Sequence, residues 1–184
     1  MGVCSPREIV VVDTETNGLD VNRHQVVEVA WWNLTTDERG RFVPLHDPAC
    51  VLRDADIRAL QLNRYIDRIA DEEQDHNWVE LNRFHDAVDD KTMAGSNPAF
   101  DAYFLSKMFR DANRLRLAPW HHRMWDLSAY AAGVLGLVEL PGLATVCEML
   151  DMEPGNHTAE DDVTATGLCF RELMTYARLR TEKP

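Results

Sequence analysis

Three groups of residues in this 184-residue chain have the types and spacing to do acid–base or metal chemistry. The first is Asp13-Thr14-Glu15-Thr16-Asn17-Gly18-Leu19, which follows four apolar β-branched residues, Ile9 to Val12. Side chains at i and i+2 of a strand share a face, so Asp13 and Glu15 project together from the end of a buried strand. With 18 Asp and 13 Glu in the chain, roughly one Asp-x-Glu arises by chance, and the pattern alone carries little weight. Two others, Asp71/Glu73 and Asp151/Glu153, lie in charged or loop-like surroundings where a solvated face explains them. Asp13 and Glu15 differ because an apolar strand delivers them. Paired carboxylates buried there demand a compensating cation, and strand ends are where open α/β sheets bind ligands.

The second group is Asn97-Pro98-Ala99-Phe100-Asp101, with Asp101 just inside the start of a helix. Alone, that carboxylate reads as a complement to the helix dipole. The third is His157-Thr158-Ala159-Glu160-Asp161-Asp162, after the loop Glu153-Pro154-Gly155-Asn156. The same His-to-Asp spacing recurs at His85/Asp90 and His121/Asp126, so context gives this one its weight. A Pro-Gly-Asn loop presents the imidazole while a helix fixes the carboxylate; the competing reading is an acidic first turn beside a surface histidine.

The elements that must position these groups follow from hydrophobic periodicity. Ile9 to Asp13, Gln25 to Leu34 and Gly40 to Leu45 read as strands, with a hairpin turn at Asp37-Glu38-Arg39-Gly40. Asp54 to Tyr65 and Trp78 to Val88 carry helical spacing, on either side of a charged loop at Asp71 to His76. Thr92 to Gly95 is a short strand, and Ala99 to Asn113, Asp126 to Leu135, Leu143 to Leu150 and Ala159 to Arg180 read as helices. Strands first, then strands alternating with helices, predict an α/β fold with a mixed sheet.

Composition bounds the function. Hydrophobic residues are 45% and charged residues 27%, as in globular chains, and the length suits one domain. The formal charge of −12 excludes a basic binder of long duplexes, which needs many Lys and Arg contacts to phosphates. No apolar run is long enough for a membrane span. The start, Met1 to Pro6, matches neither a signal peptide nor a myristoylation site, so a cytoplasmic location is expected. Cys4, Cys50, Cys147 and Cys169 form no Cys-x-x-Cys pair and read as reduced, mostly buried thiols.

In their order along the chain, Asp13-x-Glu15, Asp101 and His157-x-Ala159-x-x-Asp162 resemble the DEDDh exonucleases, the DnaQ-like branch of the ribonuclease H-like superfamily. Thr16-Asn17-Gly18-Leu19 is similar to the family's Thr-Thr-Gly-Leu, with Asn17 a departure. Val26-Val27-Glu28-Val29-Ala30 is similar to its Ile-Ile-Glu-Ile-Gly strand. Asn97 to Asp101 with Phe104-Leu105 resembles Asn-x-x-Phe-Asp-x-x-Phe-Leu, although Ser96 stands where a His is common. Trp125-Asp126-Leu127 and Leu143 to Cys147 resemble the segments before the last motif. The resemblance implies a ribonuclease H-like fold, a mixed central sheet with helices on both faces. It implies a single exonuclease domain over 1–184, with its core at about 8–178 and short tails.

The implied chemistry is two-metal hydrolysis. Asp13, Glu15, Asp101 and Asp162 supply hard oxygen ligands suited to two Mg²⁺ or Mn²⁺ ions, about 3.5–4 Å apart in such sites. By resemblance, Asp13 bridges both ions, Glu15 and Asp162 complete the first, and Asp101 serves the second, directly or through water. His157 is the implied general base, competent only when neutral. Thr16, Leu19 and Asn97 are the implied substrate contacts, with packing beside the turn as the competing reading for Leu19. The implied reaction is 3′→5′ hydrolysis at nucleic acid ends, DNA favoured over RNA, releasing nucleoside 5′-monophosphates in proofreading or repair, in a bacterial or phage setting. The alternatives are an RNA-trimming exoribonuclease or oligoribonuclease of the same fold and an accessory module docked on a DNA polymerase. Lys107, Arg110 and Arg114 could track a phosphate backbone, but a solvated face explains them. Trp31, Trp32, Trp78, Trp120 and Trp125 could stack bases, but core packing explains most or all of them, and His121-His122 reads as structural.

Overall fold

The computed structural model describes residues 6–114 and 117–181. In chain order the elements are β1 (Ile9–Thr16), β2 (Val26–Asn33), β3 (Arg39–Phe42), α1 (Pro48–Asp54), α2 (Ile57–Leu62), α3 (Tyr65–Arg68), α4 (Val79–Val88), β4 (Thr92–Gly95), α5 (Pro98–Asp111), β5 (Trp125–Asp126), α6 (Leu127–Leu135), α7 (Leu143–Met149) and α8 (Ala159–Thr181). The strands form one sheet in the order β3-β2-β1-β4-β5. β1–β2 and β2–β3 are antiparallel, β1–β4 and β4–β5 parallel. This is the mixed ribonuclease H-like sheet with helices on both faces.

The alternation of β1 explains the layering. Val10 and Val12 turn to one face, where they pack with Phe84 of α4 and Phe104 and Phe109 of α5. Val11 turns to the other, with Leu127 of α6, Val146 of α7 and Phe170 of α8. Each such buried side chain contributes about 1.5–3 kcal/mol of hydrophobic stabilisation. A third cluster, Val27, Val43, Val51, Tyr65 and Ile69, closes α1–α3 over the start of β2; with Val29 and Trp31 in the first cluster and Ala30 and Trp32 in the second, β2 is buried along its whole length. Both faces of the sheet thereby carry a packed core.

The helix expected over Asp54–Tyr65 is broken into pieces. Asp56 accepts the Arg58 amide at 2.9 Å and starts α2 afresh, and Arg64 adopts a left-handed φ of 52° before α3. Side-chain caps at both ends compete with continuation of the backbone ladder. β5 was not expected as a strand; two residues carry no periodicity, and Asp126 both ends it and caps α6. Trp31, Trp32 and Trp120 lie in the core, the His121 and His122 rings pack 4.1 Å apart, and Lys107 pairs with Asp111 at 2.9 Å. Cys147 and Cys169 are buried free thiols and Cys50 is half-buried, while Cys4 lies outside the described residues. Among the described residues no helix is long and apolar enough to cross a membrane.

Candidate active site

β1 outruns its parallel neighbour. Its register with β4 ends at Val11↔Ala94, whereas the antiparallel pairing with β2 continues through Glu15↔Glu28. The last residues of β1 therefore lack a partner on the β4 side, and the start of α5 fills the gap. Asp101, buried in the first turns of α5, accepts the Thr14 backbone N–H at 2.9 Å and the Thr14 hydroxyl at 2.8 Å, both on Oδ1. Thr14 lies between Asp13 and Glu15 and points away from them, so the Thr14–Asp101 bonds lock the strand end that carries the pair. The carboxylate is thus engaged by β1, not merely placed on its helix dipole.

On the other face, α8 brings Asp162 to the same strand end. Oxygens of Asp13, Glu15 and Asp162 lie within 4.8 Å of one another. Asp101 stands outside that trio, close enough to Asp13 to raise its carboxyl pKa. Burial first, then Asp101, Glu15, Asp162 and Glu28, push Asp13 well above the usual carboxylate range. Burial, Asp162 and Glu28 raise Glu15 to about 8, against the opposing pull of Arg68 and the Asn63 amide. Burial raises Asp101 to about 7 in spite of its two bonds from Thr14, and burial also raises Asp162. Three converging hard oxygen donors, each with its pKa raised by burial, fit a divalent cation, whose charge would relieve the repulsion between the carboxylates.

The loop before α8 is shaped for this. Thr158 caps the helix by accepting the Asp161 amide at 3.1 Å. His157 is exposed, with a left-handed φ of 61°, and its backbone N–H opposes the rise that burial imposes on the Asp162 carboxyl. Gly155 lies so close that a Cβ there would run into the Asp162 carboxylate. The glycine is needed for close approach.

The expected substrate contacts are Leu19, Thr16 and Asn97, and they differ in exposure. Leu19 is 77% exposed, so packing into the core does not account for it. It extends from a turn held by the Thr16 hydroxyl on the Gly18 carbonyl at 2.8 Å. Thr16 itself is buried. Asn17, the departure from the family pattern, is fully buried and bonds the Gln25 amide and the Val51 carbonyl, joining the turn to β2 and α1. Asn97 is exposed at the start of α5, and its side chain makes no capping bond.

Sequence reasoning missed Thr14, Asn63, Arg41, Arg68 and the part played by Glu28. Glu28 was legible as the lone charge in an apolar strand. The others carry no local signal, since each acts through a partner distant in sequence.

The RNase_T exonuclease family model matches residues 10–170. The chain belongs to this family. A comparison with curated proteins found no match. Among solved structures, E. coli exonuclease I in a zinc-bound complex with single-stranded DNA superposes with a TM-score of 0.70 at 18% identity, over 95% of this chain and 41% of that one. A 3′-exonuclease that recognises the 3′ end of a histone mRNA stem-loop superposes with a TM-score of 0.65 at 14% identity, over 92% of this chain and 82% of that one. At these identities the likeness is one of fold. The chain spans under half the length of exonuclease I, and the family's metal-dependent nuclease chemistry is matched here by the carboxylate trio.

Proposed function

We propose that the chain is a single 3′→5′ exonuclease domain that hydrolyses the terminal phosphodiester of DNA, single-stranded or frayed, and releases nucleoside 5′-monophosphates. The observation that carries this reading is the convergence of Asp13, Glu15 and Asp162 within 4.8 Å, beside a buried Asp101 and an exposed His157. Asp13, Glu15, Asp101 and Asp162 would hold two Mg²⁺ or Mn²⁺ ions. Bound there, such ions stabilise the attacking and leaving oxygens of an in-line displacement.

The protein's own groups do the rest. Neutral His157 takes the proton of the attacking water from its solvent-facing loop. The first turn of α8 orients Asp162, and Thr14 orients Asp101. Leu19 and Asn97 meet the terminal nucleotide, while Thr16 acts through the turn that presents Leu19.

The deciding assay uses single-stranded DNA, duplex DNA and RNA oligonucleotides labelled at either end, with Mg²⁺, Mn²⁺ or EDTA. Mononucleotide release from the 3′ end of DNA that stops in EDTA supports the reading. Activity that persists in EDTA, or cleavage from the 5′ end, overturns it. A clear preference for RNA would favour an exoribonuclease, the reading supported by the likeness in length and fold to the stem-loop 3′-exonuclease. Silence on every substrate with either ion present would favour an accessory module on a polymerase.

A further inference from the structure

Glu28 is fully buried in the middle of β2 and faces Glu15 across the β1–β2 register. It is outside the converging carboxylate trio, and its surroundings are the reverse of theirs. Its two oxygens accept from four donors. Oε1 takes Arg41 Nε at 2.6 Å and Arg68 Nη1 at 3.0 Å. Oε2 takes Arg68 Nη2 at 2.8 Å and the backbone N–H of Ala159 at 3.2 Å. Arg41 is shared with Glu72, which it grips through both terminal nitrogens at 2.5 and 2.7 Å. Arg68 otherwise donates to the Asn63 carbonyl, so among the described residues Glu28 is the carboxylate it is hydrogen-bonded to.

Two features link this network to the site. Ala159 is the first residue of α8, two residues after His157 and three before Asp162. A charged acceptor on a helix N-terminal amide is a strong bond, aided by the dipole. Arg68, for its part, is gripped through both terminal nitrogens by Glu28, the cross-strand partner of Glu15. A guanidinium in that place, freed of Glu28, would compete with a cation for the Glu15 carboxylate.

We propose that Glu28 is a positioning residue of the exonuclease site. It ties the first turn of α8, and with it Asp162 and His157, to the strand pair that bears Asp13 and Glu15, and it holds Arg68 away from Glu15. The inference rests on the function proposed above, but its metal-binding arm stands without turnover.

The test uses the full chain, Mn²⁺ calorimetry, thermal melts, and kcat and KM on a 3′-labelled oligonucleotide. Glu28→Gln keeps an oxygen for the Ala159 N–H and drops the charge. It should weaken Mn²⁺ binding and kcat on the order of 10- to 100-fold, the usual range for a partner behind a metal ligand, with KM unchanged. Adding Arg68→Met should restore most of the Mn²⁺ affinity, because the unbalanced guanidinium is gone. A folded Glu28→Gln protein that binds Mn²⁺ and turns over like the parent overturns the proposal, as does a double variant no better than the single one.

Breaking a buried pair can unfold a protein where replacing both partners does not. If Glu28→Gln does not fold, the comparison moves to Glu28→Gln/Arg68→Met against Glu28→Leu/Arg68→Met, which differ in the acceptor for the Ala159 N–H. The Leu variant should lose kcat about tenfold relative to the Gln variant; equal rates overturn the proposal. A parent chain inactive on every oligonucleotide sinks the exonuclease reading instead, and the Mn²⁺ affinities of the same variants then decide the role of Glu28.

Discussion

Glu15→Gln should stabilise the protein while disabling it, provided no metal is present. In the folded chain burial, Asp162 and Glu28 raise Glu15 from its ordinary 4.5 to about 8. An unfolded chain has no such neighbours. Between those two values the unfolded state releases the proton and the folded state retains it, so every step up in pH costs the fold stability. The cost is absent below about 4.5, grows through the window, and levels off above about 8. At pH 7 it amounts to roughly 3 kcal/mol, at about 1.4 kcal/mol for each pH unit of the gap. For a chain of this size that is roughly 6–12 °C in Tm. Melts of parent and variant in EDTA should therefore coincide near pH 4 and separate as pH rises, the variant higher by that amount at pH 7. Mn²⁺ should then raise the parent's Tm and leave the variant's nearly unchanged. A parent no less stable than the variant in EDTA at pH 7 would refute the reasoning, for it would mean the trio is already neutralised without a cation.

Three other outcomes follow from the same geometry. Gly155→Ala places a methyl group 2.8 Å from Asp162 Cγ and 3.0 Å from its Cα, so the loop or the carboxylate must move; a stability loss of about 1–3 kcal/mol and on the order of a 100-fold fall in kcat are expected from melts and oligonucleotide hydrolysis. His157→Ala should leave Mn²⁺ affinity in calorimetry largely intact and remove most of the turnover, and a near-normal rate would dismiss His157 as the base. Two divalent ions add four positive charges and leave the chain at about −8 from its −12, so oligonucleotide binding should have a shallow log–log salt dependence, read by anisotropy; a slope typical of six or more phosphate contacts would count against a grip confined to the 3′ end.

The parts of the fold that could be read in advance are those where the chemistry sits at the end of a strongly periodic element. Ile9 to Val12 announces a buried strand, so the carboxylates that follow it stand out, and the same holds for Asp162 at the head of α8. The region from Asp54 to Tyr65 breaks because Asp56 and Asn63 turn their side chains to backbone groups: Asp56 accepts the Arg58 amide, and Asn63 accepts the Tyr65 amide and donates to the Thr16 carbonyl, 47 residues away. Such bonds are paid for by tertiary contacts that periodicity does not encode. Gly155 reads as a flexible loop glycine in the sequence, whereas in the fold it marks the absence of room. Asp101 looked like a dipole complement because its partner, Thr14, is 87 residues away.

The opposed fates of Glu15 and Glu28 locate the site more sharply than acidity does. The two are cross-strand partners, Glu15 half-buried and Glu28 fully buried, and their pKa values move in opposite directions. Burial acts on both alike; the difference is in the donors. Two guanidiniums and a helix amide meet Glu28, and its carboxyl is lowered in spite of desolvation. Glu15 faces Asp162 and Asp13 and is raised. A fold able to place two arginines on one carboxylate does not lack the means to neutralise its neighbour. It leaves Asp13, Glu15 and Asp162 without that compensation at the one place where strand, loop and helix converge on solvent, and uncompensated like charge held in such a place is what a divalent cation relieves.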